Sequence, residues 1–125
     1  MSTTDTRFAA LEGAEFMVLT TYRRSGDPMP TTVWFAEAGG RLYVTTQGQA
    51  GKAKRIRANP AVLVAPSDRV GNVSGPAASG QARILDQGEA ECAEAALRAK
   101  YGEQYTALTG RMAEGAVRIF IEVTP

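Results

Sequence analysis

Short strand-like runs recur along the chain, each closed by glycine, proline or a small polar cluster, and this rhythm limits the fold more than any other feature. Residues 16–23, FMVLTTYR, are rich in β-branched and aromatic types. The turn cluster Arg24-Ser25-Gly26-Asp27-Pro28 ends that run. Residues 29–37 predict a second strand, with Met29, Thr31, Val33 and Phe35 on one face and Pro30, Thr32, Trp34 and Ala36 on the other. Gly39-Gly40 predicts a hairpin turn into a third strand, RLYVTT, over 41–46. AVLVAP, 61–66, has little polar alternation and reads as a strand buried on both faces. The glycine-rich stretch 67–80 predicts a loop or bulged strand running into a fifth strand, GQARILD. A last strand is predicted over 116–123, with Val117, Ile119, Ile121 and Val123 on one face.

Helices are few. Phe8 and Leu11 at helical spacing, with Asp5 or Thr6 as cap, predict one over 5–14. Ala50, Ala53 and Ile56 recur every third residue and predict another over 50–58, which Pro60 stops. GEAECAEAALRAKY, 88–101, is the strongest helical pattern. Its stripe of Ala93, Ala96, Leu97, Lys100 and Tyr101 is poor in large side chains, so it is expected to pack on the outside. Residues 102–114 read as a polar connection. Six short antiparallel strands with few helices predict a mainly β domain closed as a small barrel, with a sandwich as the competing solution.

The 125 residues form one domain, 1–125. A net charge of +1 creates no global field for nucleic acid or an anionic membrane surface. No apolar run approaches a membrane span, and the start, MSTTDTRFAALEG, lacks the pattern of a signal peptide. Cys92 is the only cysteine, so no internal disulfide forms and a reducing cytoplasm is expected. The chain has no histidine, which removes Ser-His-Asp and Cys-His catalysis and histidine metal sites together. No side chain is expected to be catalytic and no metal site is expected; chemistry here would belong to a bound cofactor.

Lys52, Lys54, Arg55 and Arg57 concentrate positive charge in one predicted helix. Lys52 and Arg55 project about 60° apart on it, as do Lys54 and Arg57 on the far side of Ala53 and Ile56. One pair can face a ligand while the other faces water. A helix start also offers free N–H groups to an anion, and Gly51 permits close backbone approach. A solvated cationic face explains the same residues, and the pattern alone leaves both readings open. Gly51-Lys52 is not a P-loop, since Thr46 and Ala53 stand where that motif needs Gly and Ser or Thr. Trp34 shares its predicted face with Thr32, a mixed surface that suits either packing or a ring-binding wall, whereas Phe35 is expected in the core. Thr45 and Thr46 lie close in sequence to Gly51-Lys52 and are possible hydroxyl donors. The acids Glu89, Glu91, Glu94 and Glu103 read as a solvated helix face. Nothing distinguishes Tyr22, Tyr43, Tyr101 or Tyr105 as a proton donor.

The strand P-x-x-VWF, the strand G-R-LYVTT, the turn G-K-x-x-R-I-R and the N-P before the next strand, taken in order, resemble the pyridoxamine 5′-phosphate oxidase-like split β-barrels. The similarity runs nearly the whole chain and is strongest over 16–66. The nearest branch is identified as the small deazaflavin (coenzyme F420)-dependent oxidoreductases. The resemblance implies a six-stranded antiparallel split barrel acting as a homodimer, with two equivalent sites in grooves between subunits. It implies that Pro30, Thr31, Thr32, Val33 and Trp34 run along the cofactor ring, and that Thr45 and Thr46 sit at its phosphate and ribityl end. Gly51 and Lys52 match the phosphate turn, with Arg55 as a second phosphate ligand and Lys54 and Arg57 toward an oligoglutamyl tail. The Gly75–Gly80 stretch would reach in from the partner chain. The implied activity is hydride transfer between reduced coenzyme F420 and a small organic acceptor. FMN is the alternative cofactor, and non-catalytic binding of a flavin, deazaflavin or haem is the alternative role. Two departures stand out: Ala50 replaces a common Ser before Gly-Lys, and the chain lacks an evident arm for pyridoxal phosphate.

Overall fold

The computed structural model of the protein describes residue 11 and residues 14–47, 51–105 and 118–125. Among these residues, seven strands and two helices follow one another as β1 (Phe16–Tyr22), β2 (Pro28–Trp34), β3 (Ala36–Ala38), β4 (Arg41–Gln47), α1 (Gly51–Ala58), β5 (Ala61–Ser67), β6 (Ala78–Ile84), α2 (Gln87–Tyr101) and β7 (Arg118–Thr124). All pairings are antiparallel, in the order β2-β1-β5-β6-β7-β4-β3. The first and last strands of that order are separated in sequence by Phe35 alone. The sheet therefore curls until its two edges are joined through one residue, which is the split-barrel geometry the resemblance implies.

The expected count of six strands is corrected to seven. The run 29–37 is not one strand: β2 pairs with β1, and β3 pairs with β4 on the opposite edge. The break falls at Phe35 because its backbone N–H and C=O bond to side chains of α2 rather than to a neighbouring strand. Alternation within the run is nonetheless as expected. Val33 and Phe35 are buried in the barrel interior with Met17, Leu19, Leu42, Val44, Val62, Val64, Ile121 and Val123. Ala38 pairs with Arg41 across Gly39 and Gly40, whose φ values of 61° and 78° are those of a two-residue hairpin turn. The strand over 61–66 extends one residue to Ser67 and is buried at Val62, Val64, Ala65, Pro66 and Ser67.

α1 spans 51–58 and buries Ala53 and Ile56 against β1 and β6, as the spacing of three predicts. α2 begins one residue earlier than expected because Asp86 forms a reciprocal capping box with Glu89. It lies on the outer surface of β3, β4 and β7, burying Ala93, Leu97 and Tyr101 in a second apolar cluster with Phe120, Leu85 and Tyr105. Gly102, at φ 56°, ends it by donating to the Arg98 carbonyl. The predicted helix over 5–14 lies outside the described residues except at Leu11 and Ala14, as do Val117 and most of the connection 102–114. Among the described residues, no helix is long and apolar enough to cross a membrane.

Candidate functional site

The basic segment divides as helical geometry requires. Lys52 and Arg55 are half-buried, whereas Lys54 and Arg57 are exposed on the other side of α1. The Lys52 Nζ donates to the Thr46 hydroxyl of β4 at 3.4 Å. The Arg55 Nε donates to the Thr21 hydroxyl of β1 at 2.6 Å. Thr21 is fully buried, on the inward face it shares with Met17 and Leu19. One corner of the barrel thus gathers Thr46, Gly51, Lys52 and Arg55 from the expected set, with Thr21 added. Sequence reasoning passed over Thr21, although its alternation with Met17 and Leu19 placed it inward.

Gly51 has a specific role here. A Cβ at this position would lie 2.8 Å from the Arg55 Nη1. The guanidinium therefore lies across the N-terminal end of α1, next to the N–H groups that a helix leaves unpaired. Dipole, guanidinium and ammonium converge on the same side.

Among the described residues, no carboxylate lies within ion-pairing distance of Lys52 or Arg55. Among the described residues, the buried and half-buried carboxylates are paired. Glu122 is 5% exposed and accepts from Arg83, Arg41 and Tyr43. Glu94 accepts from Arg118 and Tyr105. Burial, with Arg55 as a like-charged neighbour, holds the Lys52 ammonium below the ordinary lysine range. An anion between these cations would relieve both effects. The arrangement is suited to binding a compact oxyanion and holds no acid–base pair.

The remaining expected ring-binding residues lie on β2, whose outer edge has no strand partner among the described residues. Pro30, Thr32 and Trp34 share the outward face, and Thr31 and Val33 the inward one. Trp34 is half-buried: Phe16 meets it edge-on at 5.6 Å, and the Tyr101 ring tilts against it at 4.5 Å. Thr32 is approached by the loop after β5, since a Cβ on Gly71 would fall 2.6 Å from its hydroxyl. Thr45 is half-buried and donates to the Ile119 carbonyl at 3.1 Å. Ala50 lies outside the described residues. Tyr43, Tyr101 and Tyr105 all have hydroxyls engaged with protein groups. Tyr22 lines a cleft of about 350 Å³ with Leu63 and Pro125.

The chain belongs to the pyridoxamine 5′-phosphate oxidase family: the family model matches residues 3–125. No curated protein matches it significantly. Among solved structures it is similar to an F420 reductase, at 24% identity over 98% of this chain and 95% of that one, with a TM-score of 0.60. The General Stress Protein 26 of Bacillus anthracis gives 22% identity over 96% and 86%, with a TM-score of 0.67. HutZ, the heme storage protein of Vibrio cholerae, gives 16% over 94% and 85%, with a TM-score of 0.70. Identities this low carry the fold alone.

Two outcomes are expected at this corner. Gly51→Ala displaces only the far end of a flexible arginine, so thermal unfolding should move little while affinity for a phosphate-bearing ligand drops several-fold. Lys52 loses its proton at a lower pH than a free lysine, so that affinity should fall as pH rises toward 10, whereas Lys52→Arg, which stays charged, should show a flatter profile. Calorimetric titration from pH 7 to 10 reads both.

Proposed function

We propose that this protein is an oxidoreductase that binds reduced coenzyme F420, with its phosphate end held by Lys52, Arg55, Thr46 and the start of α1. The observation that carries the reading is the half-buried Lys52–Arg55 pair, which has no carboxylate partner among the described residues. Two half-buried like charges are tolerated where a ligand supplies the counter-charge. When bound, the deazaflavin would supply a hydride to an activated double bond of a small organic acceptor. This chain's own groups would bind, orient and shield; no protein nucleophile is required. β2, from Pro30 to Trp34, borders the ring, and Thr45 stands toward the ribityl chain. FMN, with a similar ring and phosphate, is the alternative ligand. A haem-binding role is the runner-up suggested by the heme storage protein of the same fold; with no histidine in the chain, it would need Tyr, Met or Cys92 as ligand.

The working unit in this proposal is a homodimer in the cytoplasm. α2 covers the outer face of β3, β4 and β7, while Val18, Thr20 and Leu63 on the outer face of β1 and β5 are only half-buried. A second copy placed there would close a groove over β2. Sedimentation should give a species of twice the 13.3 kDa chain mass. A monomer that still binds cofactor tightly would remove this part of the reading.

Titration of the purified protein with F420 and with FMN tests the cofactor. Loss of one charge-assisted contact costs roughly 1.5–3 kcal/mol, so Lys52→Ala and Arg55→Ala should each weaken binding by about ten- to a hundredfold. Unchanged affinity in both variants would refute the phosphate assignment. Tight FMN binding without F420 binding would reverse the choice of cofactor.

A further inference from the structure

The β1–β2 ladder ends with Phe16 opposite Trp34, so the next rung would join Glu15 to Phe35. The Tyr101 hydroxyl, from the last turn of α2, stands in place of that rung. It lies 2.5 Å from the Glu15 carbonyl oxygen and 2.7 Å from that of Phe35, its single proton serving one or the other. It also accepts from the Phe35 N–H at 2.9 Å. Lys100 is exposed as a residue, but its ammonium donates to the carbonyls of Phe35 at 2.8 Å and Ala14 at 2.7 Å. The same group sits 3.6 Å from the centre of the Phe35 ring. Two adjacent side chains of α2 thereby satisfy the backbone of the one residue that links the sheet's edges.

We propose that Tyr101 is a positioning residue for the cofactor groove, its hydroxyl fixing the bend at Phe35 and its ring fixing the orientation of Trp34. The inference rests on the cofactor reading above. Burial of the Phe35 ring anchors the side chain but not the direction in which its peptide groups point. Only the hydroxyl bonds both of them. Without it, the buried Phe35 N–H loses its partner, the C=O keeps only Lys100, and the chain must turn to satisfy the N–H. That turn would move Trp34, the adjacent residue. A tyrosine hydroxyl keeps its proton at physiological pH in any case, and burial, which raises this one's pKa to about 12, extends that into alkaline solution.

Trp34 is the only tryptophan, so intrinsic emission reports its surroundings directly. Tyr101→Phe removes the oxygen and keeps the ring. This variant should exchange the Phe35 amide at least tenfold faster and shift the Trp34 emission. It should bind F420 or FMN, whichever the wild type takes, about tenfold more weakly, with less quenching of Trp34 at saturation. Val64→Ala, which loosens the barrel core away from α2, serves as the control and should leave emission and affinity near wild type. If Tyr101→Phe does not fold, Lys100→Met replaces it, with a loss of about threefold and an emission shift of the same sense. Wild-type affinity and emission in a folded Tyr101→Phe variant would overturn the inference, as would equal weakening by Val64→Ala. Should the wild type bind neither cofactor, the groove reading itself falls and this inference falls with it.

Discussion

Backbone hydrogen bonding at Phe35 is the constraint on which the architecture depends. The whole residue is only 1% exposed, so its peptide groups are cut off from water and need partners within the protein. A neighbouring strand would provide them in an ordinary sheet. Here α2 does, through Tyr101 and Lys100. That exchange frees the chain to leave β1 after Trp34 and join β4 from Ala36. Curling, closure and the placement of α2 on the outer surface are facets of one arrangement. Removing the helix would leave the bend without its bonds, which makes α2 part of the barrel's closure and not merely a cover for it.

Charge is distributed by the same logic of satisfaction. Glu122 and Glu94, each with at least one arginine and one tyrosine, tie β7 to β4, β6 and α2. These groups hold strands and helix together, and their partners leave them little capacity for a ligand. Lys52 and Arg55 differ in having hydroxyls as their protein partners. A hydroxyl can accept from a cation without neutralising it. Thr46 and Thr21 therefore orient the two cations and preserve the local positive potential.

Much of this was legible in the chain because it depends on local pattern. The spacing of Ala53 and Ile56 settled which face of α1 is buried, and that the four cations divide into two pairs flanking it; which pair turns toward the barrel depends on where β1 and β4 lie. Gly39-Gly40 marked a hairpin because few other residues accept positive φ at both positions. What was not legible depends on distant partners. Nothing about FAEA says that a strand breaks there; the cause lies 66 residues away in Tyr101. Four tyrosines looked equivalent, and only tertiary placement distinguishes the one that bonds a backbone bend. Thr21 was hidden for a similar reason, since its inward position matters only once Arg55 arrives from α1.

Pro28 and Pro30 acquire meaning from the same edge strand. β2 keeps its register with β1 from Pro28 to Trp34, although proline has no N–H to give. The two prolines therefore occupy rungs where the donor would point away from β1, toward the unpaired side. Along that edge, two alternate positions present no donor to an incoming strand. An exposed β-edge is an invitation to unlimited strand addition, and this one is chemically blunted. The chain can leave a strand uncovered beside its candidate site without seeding growth of the sheet from molecule to molecule.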